Sequence, residues 1–155
     1  MDTKTLIVIR HAHRDKKEGR ELDNGLSAKG RKQARQALAF FKKRFKGVRG
    51  QLFSSPKKRC VETLAPIARY ARTKVTVDPE LDEGGNLEGK AQRFLQRWHD
   101  SPAELTVISS HGDWIPVFTE IALGTSIDIS KGGWLELVRD GEDLRLTWLV
   151  QRWDI

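Results

Sequence analysis

The sequence predicts an α/β fold: a three-layer α/β/α sandwich with a mostly parallel central sheet and an antiparallel edge. Three observations predict it. The opening run Leu6–Ile9 is apolar throughout, as in a strand whose two faces are both covered. Later apolar runs lead into segments in which apolar residues recur at helical spacing. The last part of the chain holds two strand-like runs around Asp140-Gly141, which indicates a hairpin at the sheet edge.

Length and composition restrict the possible classes of protein. The 155 residues fit one domain, residues 1–155, and fall short of the ~250 of a typical (β/α)8 barrel. A net charge of +7 favours acidic partners such as phosphates, nucleic acid or an acidic protein face. The one cysteine, Cys60, excludes an internal disulfide, and the N-terminal apolar run is too short for a signal sequence or a membrane span. We therefore expect a soluble, cytoplasmic protein.

The first half of the chain predicts two strand–helix units. Ser27 is a suitable N-cap for a first helix, whose other face is basic. A basic helix face is more often a solvated surface than a nucleic-acid site, so we consider a nucleic-acid partner unlikely. Gln51–Ser54 predicts a second strand. We expect the next helix to begin with Ser55 as N-cap and Pro56 as its first residue.

The second half predicts the remaining elements. Thr73–Val77 predicts a third strand, and residues 78–85 form an acidic loop that ends in two glycines. A helix begins near Leu87 and stops before Pro102, because the residue before proline disfavours helix. Leu105–Ser110 then repeats the opening pattern, with an apolar strand that leads into His111-Gly112. The terminal hairpin is predicted from two runs, 134–139 and 144–150.

Four basic side chains fall at the predicted carboxyl ends of strands, where open α/β sheets bind ligands. Arg10 and His11 follow the first strand, and His111 follows the fourth. Arg59 lies in a first helical turn, and helical side chains lean towards the helix N-terminus, so it should point at the same rim. Two arginines can bracket a phosphoryl group with charge-assisted hydrogen bonds. The pattern therefore predicts a phosphate site formed by Arg10, Arg59 and His111.

The same residues predict a reaction. A neutral imidazole at His11, oriented through its other ring nitrogen, could attack phosphorus and form a phosphohistidine. His111 would stabilise the transferred oxygens. A carboxylic acid must then protonate the leaving oxygen and later activate water, and Glu83 is the candidate nearest to the rim. This chemistry requires neither a metal ion nor another cofactor.

Four segments, in order along the chain, resemble signatures of the histidine phosphatase superfamily, the phosphoglycerate-mutase-like family. They are Arg10-His11-Ala12, the helix start Leu26–Ala34, the Ser54–Arg59 segment with Thr63, and Ser110-His111-Gly112. The resemblance implies His11 as the phosphorylated nucleophile and Arg10, Arg59 and His111 as the phosphate pocket. The short chain is most similar to the small SixA-like branch, which acts on phosphohistidine in proteins. A phosphoprotein or a small phosphomonoester is the expected partner.

The chain departs from the family pattern at two places. Ala12 stands where the family has glycine, which puts the backbone approach there in question. The segment from Leu81 to Gly89 resembles the acid-donor loop with a contraction after Glu83, so Asp82 and Glu88 remain alternative acids. No inserted segment is available to hold a second phosphate, as a mutase would require, and hydrolysis is therefore the expected reaction.

Two rival functions stay open at this stage. His11, His13 and His111 could be ligands of a metal-dependent hydrolase, although the neighbouring arginines would repel a cation. The chain could instead be a non-catalytic module that binds a phosphorylated ligand or nucleic acid through its basic helix. The sequence does not predict the oligomeric state.

Overall fold

The computed structural model describes residues 3–153, which form a six-stranded sheet with two helices on each face. The strand order is β3-β2-β4-β1-β5-β6. The strands are β1 (Thr3–Arg10), β2 (Gln51–Ser54), β3 (Val75–Val77), β4 (Leu105–Ser110), β5 (Trp134–Asp140) and β6 (Asp143–Val150). The helices are α1 (Ala28–Arg44), α2 (Lys58–Ala71), α3 (Leu87–Asp100) and α4 (Trp114–Leu123), with a 3-10 turn at Pro79–Leu81.

Strand β1 lies inside the sheet and explains the layering. Leu6 and Val8 pack into a core cluster with α3 and α4, whereas Ile7 and Ile9 pack into a second cluster with α1 and α2. All four side chains are fully buried, so the apolar run is covered on both faces. β2, β3, β4 and β1 are parallel, and the β5–β6 hairpin adds the antiparallel edge. The predicted α/β/α sandwich is confirmed.

The register between β1 and β4 positions the strand-end residues. The two strands are parallel, and Arg10 pairs with Ser110 at their carboxyl ends. The backbone N–H of His11 donates to the carbonyl of Ser110 at 3.0 Å, which continues the ladder by one residue. Because of this register, His11 and His111 leave the sheet side by side.

Two predicted boundaries are wrong by two residues. Helix α2 starts at Lys58 rather than Pro56: Ser55 Oγ accepts from the N–H of Lys57, which is the N-cap, and also contacts the His111 ring. Strand β3 starts at Val75, because the preceding residues end α2: Arg72 is its left-handed C-cap, and the Thr73 N–H donates to the Ala68 carbonyl. The contact between Ser55 and His111 joins distant segments, whereas the bond from Thr73 is local to the end of α2.

Within residues 3–153, no helix combines the length and apolar character needed to cross a membrane. The assignment of residues 1–155 to a single domain stays a prediction.

Candidate active site

A cavity of about 320 Å³ opens at the carboxyl ends of β1 and β4. Its walls include all five side chains that the sequence assigns to the site. The lining residues are Arg10, His11, Arg14, Lys16, Arg20, Arg59, Glu83, His111, Gly112, Asp113 and Lys131.

His11 is buried at the floor of this cavity, with 6% of its surface exposed. Its Nδ1 lies 2.9 Å from the carbonyl oxygen of Ala12, to which the ring N–H donates. Burial, together with the nearby positive charge of Arg59, lowers the pKa of His11 to about 3. The ring is therefore neutral at pH 7, with the Nδ1 proton fixed and the lone pair on Nε2.

The backbone beside the nucleophile candidate is fixed by helix α2. The Ala12 N–H donates to Thr63 Oγ1 at 2.9 Å, and the Thr63 hydroxyl donates to the Arg59 carbonyl at 2.7 Å. Ala12 is fully buried and contributes to a small core cluster with Leu26 and Ala34. The methyl group that replaces the usual glycine hydrogen is thus accommodated in the core.

His111 lies beside His11, with 5.4 Å between the two ring centroids. Its Nε2 is 2.8 Å from Ser55 Oγ, and Ser55 Oγ is 3.3 Å from the Asp82 carboxylate. A carboxylate can only accept, so the Ser55 hydroxyl donates to Asp82 and accepts from the Nε2–H of a neutral His111. Burial lowers the pKa of His111 to about 4, against the opposing charge of Glu83. Ser55 is predicted from the sequence only as a helix N-cap, so its contact with His111 is a site interaction that the sequence analysis missed.

Arg59 reaches the cavity from the first turn of α2, as the lean of helical side chains predicts. It is 3% exposed, and its Nη2 donates to Glu83 at 2.8 Å and lies 3.4 Å from His111 Nδ1. Asp23 lies on the other side, 3.5 Å from Arg59 Nη1, and accepts from the backbone N–H groups of Lys58 and Arg59. Asp23 therefore replaces the missing side-chain cap of α2. It lies in a turn-rich stretch, and no local signal predicts this contact.

Arg10 forms the opposite wall. Its Nη1 donates to the Ile129 carbonyl at 3.0 Å, while its buried Nε has no hydrogen-bond partner within the described residues. The guanidinium lies against Gly112, where an added Cβ would be 2.7 Å from Arg10 Cζ. The glycine after His111 thus makes room for the arginine before His11.

The three candidate acids occupy different surroundings. Glu83 lines the cavity, and its Oε1 is 3.5 Å from His111 Nδ1. Burial raises the pKa of Glu83, but the hydrogen bond from Arg59 and the neighbouring positive charges outweigh it and lower the pKa. Asp82 accepts from the Ser55 hydroxyl and from the Glu83 N–H, so it holds the Ser55 side chain and the backbone of Glu83 in place. Glu88 lies exposed in the first turn of α3, away from the cavity.

A comparison with protein families adds an independent observation. Residues 6–106 match the model of the histidine phosphatase superfamily, branch 1. The chain belongs to this superfamily. Membership makes it an enzyme of the histidine-phosphatase type, as its four sequence motifs predict. No curated protein sequence matches the chain.

Solved structures of other proteins share the fold of this histidine phosphatase. The protein histidine phosphatase SixA complexed with tungstate aligns with a TM-score of 0.80 and 17% identity, over 95% of this chain and 96% of that one. A mycobacterial glucosyl-3-phosphoglycerate phosphatase aligns with a TM-score of 0.73 and 19% identity, over 96% of this chain and 98% of that one. Phosphoserine phosphatase from Entamoeba histolytica aligns with a TM-score of 0.73 and 18% identity, over 96% of this chain and 98% of that one. At these identities the similarity establishes the fold.

The rim of the phosphatase cavity is strongly basic. Four basic side chains outside the predicted phosphate site add to its positive charge: Arg14, Lys16, Arg20 and Lys131. They come from the loop after β1 and the loop before β5, whose conformations cannot be predicted from the sequence pattern. An anion entering this cavity therefore meets positive charge before it reaches His11.

His13 lies outside the cavity, and its Nδ1 is 2.7 Å from Ser27 Oγ at the start of α1. Among residues 3–153, no three His, Cys, Asp or Glu side chains are grouped as ligands for a metal ion. The structure therefore does not bring His11, His13 and His111 together as a ligand set.

Proposed function

We propose that the protein is a metal-independent phosphatase that hydrolyses phosphoryl groups through a phosphohistidine on His11. The proposal rests chiefly on one observation. The His11 ring is neutral, donates from Nδ1 to the Ala12 carbonyl, and so directs its lone pair through Nε2 in a cavity lined by Arg10, Arg59 and His111. A positioned neutral imidazole beside two guanidinium groups fits in-line phosphoryl transfer.

In the first step, His11 Nε2 forms a bond to phosphorus, and the bond from phosphorus to the leaving oxygen breaks. Arg10 and Arg59 neutralise the oxygens of the transferred group. The negative charge of the bound group also raises the pKa of His111, so that its Nδ1 takes up a proton and donates to one of these oxygens. The leaving oxygen takes a proton from Glu83, which must be a carboxylic acid at that moment. From a phosphomonoester the products are an alcohol and a phosphorylated His11. From phosphohistidine the bond that breaks is phosphorus to nitrogen, and the products are a free histidine side chain and a phosphorylated His11.

Substrate binding supplies the protonation that Glu83 needs. In the free enzyme its pKa is lowered, with the hydrogen bond from Arg59 as the strongest stabilisation of its charge. A bound phosphoryl group competes for Arg59 and adds negative charge nearby, and both effects raise the pKa of Glu83. In the second step, Glu83 takes a proton from water as the water attacks phosphorus, and His11 leaves as a neutral ring.

Two substrate classes fit this site. SixA is a protein histidine phosphatase, and other proteins of this fold act on phosphoserine or on glucosyl-3-phosphoglycerate. We therefore propose phosphohistidine in proteins or small phosphomonoesters as substrates, in the reducing environment of the cytoplasm.

The test is hydrolysis of 4-nitrophenyl phosphate in the presence of a chelator, with wild type, His11→Ala and His99→Ala compared. His99 is exposed at the end of α3 and serves as a matched control for loss of an imidazole. We expect turnover and an acid-labile phosphoenzyme in wild type and in His99→Ala, and neither in His11→Ala.

Other outcomes would support the rival functions. Activity that disappears with chelator and returns with a divalent cation would favour a metal-dependent hydrolase. Absence of turnover with every phosphorylated substrate, together with RNA binding that falls steeply with salt, would favour a non-catalytic module.

A further inference from the structure

A second concave site adjoins the catalytic cavity. It is a groove of about 640 Å³, within the ~300–1,000 Å³ of ordinary small-molecule sites. Ten residues of the described part of the chain line it, and of these ten six are basic and none is acidic. The lining residues are Arg10, His13, Lys29, Lys32, Gln33, Gln36, Ser130, Lys131, Arg152 and Trp153.

The basic residues of this groove come from separate segments. Lys29 and Lys32 belong to the first turns of α1, Lys131 precedes β5, and Arg152 follows β6. A charged helix face arises from one segment and spreads into solvent. Here the fold instead brings distant cations around one concave volume, which is how proteins form anion sites.

The cations of the groove repel one another. Burial lowers the pKa of Lys131, and the neighbouring charges of Lys16 and Arg10 lower it further. The pKa of His13 is also lowered, first by burial and then by Lys131 and Lys29. An anion in the groove would relieve this repulsion.

The groove lies next to the catalytic cavity, because Arg10 and Lys131 line both. Arg10 Nε is buried without a hydrogen-bond partner within residues 3–153, although its Nη1 donates to Ile129. A molecule with one phosphoryl group at His11 would thus have the groove directly beside it.

We propose that this groove binds a second anionic group of the substrate, and that the preferred substrates are small molecules with two phosphoryl groups. This inference rests on the proposed phosphatase function and specifies its substrate class. One phosphoryl group is transferred at His11, and the other lies among Lys29, Lys32 and Lys131. The sequence offers no inserted segment for a second phosphate, but this groove needs none, since α1 and the loop before β5 supply its cations. The Trp153 side chain adds an apolar wall for the linker between the two groups.

The experiment compares kcat/KM for an alkyl monophosphate with kcat/KM for ethane-, butane- and hexanediol bisphosphates. The ratio of bisphosphate to monophosphate measures the contribution of the groove, and the best chain length reports its distance from His11. We expect a preference of about tenfold or more for one bisphosphate, the effect of one charge-assisted hydrogen bond.

Two double variants test whether the preference for a bisphosphate depends on the groove. Lys29→Gln with Lys32→Gln removes two charges from the groove, and we expect the ratio to fall towards one. All four lysines are exposed, so Lys43→Gln with Lys46→Gln removes the same charge from comparable positions outside the groove, near the other end of the first helix. This control should keep the ratio of the wild type.

Three results would overturn the inference. The first is equal kcat/KM for all the bisphosphates and the monophosphate, and the second is an equal loss of preference in both double variants. The third is a preference for phosphopeptides with acidic flanks over those with neutral flanks, without any bisphosphate preference, which would assign the groove to a protein partner. Hydrolysis of the monophosphate by wild type, but not by His11→Ala, shows in each case that the phosphatase proposal itself still holds.

Discussion

The imidazole rings of His11 and His111 lie 5.4 Å apart although one hundred residues separate them in the chain. The parallel register of β1 and β4, which pairs Arg10 with Ser110, brings them together. Both rings are buried and neutral, with pKa values lowered to about 3 and about 4. Two uncharged imidazoles can share one cavity with arginines without electrostatic repulsion, whereas protonating either ring in the folded protein costs free energy.

We predict that acid destabilises the protein through these two histidines. In the unfolded chain each titrates near pH ~6.5, whereas in the folded protein each stays neutral until pH 4 or below. Between these values the unfolded state binds more protons, so the free energy of unfolding falls as pH falls from 6.5 towards 4. Urea unfolding at pH 7, 6 and 5 measures the slope.

Single substitutions test whether the pH dependence of the unfolding free energy comes from His11 and His111. His11→Ala and His111→Ala should each reduce proton uptake on unfolding by close to one proton between pH 6 and 5. Ser54→Ala, which removes a buried side chain without a titratable group, is the control for a general packing effect. An unaltered slope in both buried-site variants would contradict the prediction.

The meeting of the two histidines could be predicted from the sequence because it depends on strands alone. Two apolar runs that end in histidine predict strands whose carboxyl ends lie at one rim of the sheet, and Arg59 follows from the lean of side chains in a first helical turn. These arguments need only secondary structure and chain direction. That these two strands are direct neighbours is seen only in the structure.

The contacts of Asp23 and Ser55 could not be predicted in the same way. Asp23 lies in the irregular stretch before α1, and its contact with α2 depends on the path of that loop. Ser55 Oγ accepts from the Lys57 N–H at the start of α2, as an N-cap position favours, but its contact with His111 depends on where β4 places that ring. The groove beside the site depends on loops at residues 130–131 and 152–153 that have no periodic pattern.

We predict that Gly112→Ala lowers activity more than stability. The added methyl group would lie 2.7 Å from Arg10 Cζ, and a guanidinium at the end of a flexible side chain can move aside. Loss of one charge-assisted phosphate contact corresponds to about a ten- to hundredfold decrease in kcat/KM. The melting temperature should change little. A cycle with Arg10→Ala tests the cause, because the two effects should not be additive if Gly112 acts through Arg10.

Substitutions at Asp23 should separate helix capping from charge. Asp23→Ala removes the oxygen atoms that accept from the first N–H groups of α2, and we expect a loss of about 1 kcal/mol in the free energy of unfolding. Asp23→Asn keeps a good capping oxygen, so most of that stability should remain. Both variants lose the charge near Arg59 and should show a lower kcat/KM. Equal stability of the two variants would show that capping is not the role of Asp23.

Ser55→Ala should impair catalysis through His111. The hydroxyl fixes the Nε2–H form of the ring, and its removal leaves Nε2 without its nearest partner at 2.8 Å. We expect about a tenfold lower kcat/KM and a changed tautomer ratio in the nitrogen NMR spectrum of His111. Ser54→Ala is the matched control, because Ser54 is equally buried and donates only to the Ser55 carbonyl. An equal loss of activity in both variants would indicate a general packing defect.

The role of Glu83 can be tested by the leaving group. If Glu83 protonates the leaving oxygen, Glu83→Gln should slow hydrolysis of an alkyl phosphate far more than hydrolysis of 4-nitrophenyl phosphate, whose leaving group needs little protonation. About a hundredfold difference between the two losses is expected from general acid catalysis. Asp82→Asn acts through Ser55 and should slow both substrates by similar factors. A larger leaving-group dependence in Asp82→Asn would move the acid role to Asp82. Similar losses on both substrates in Glu83→Gln would instead mean that Glu83 serves to hold Arg59, with which it shares a hydrogen bond of 2.8 Å.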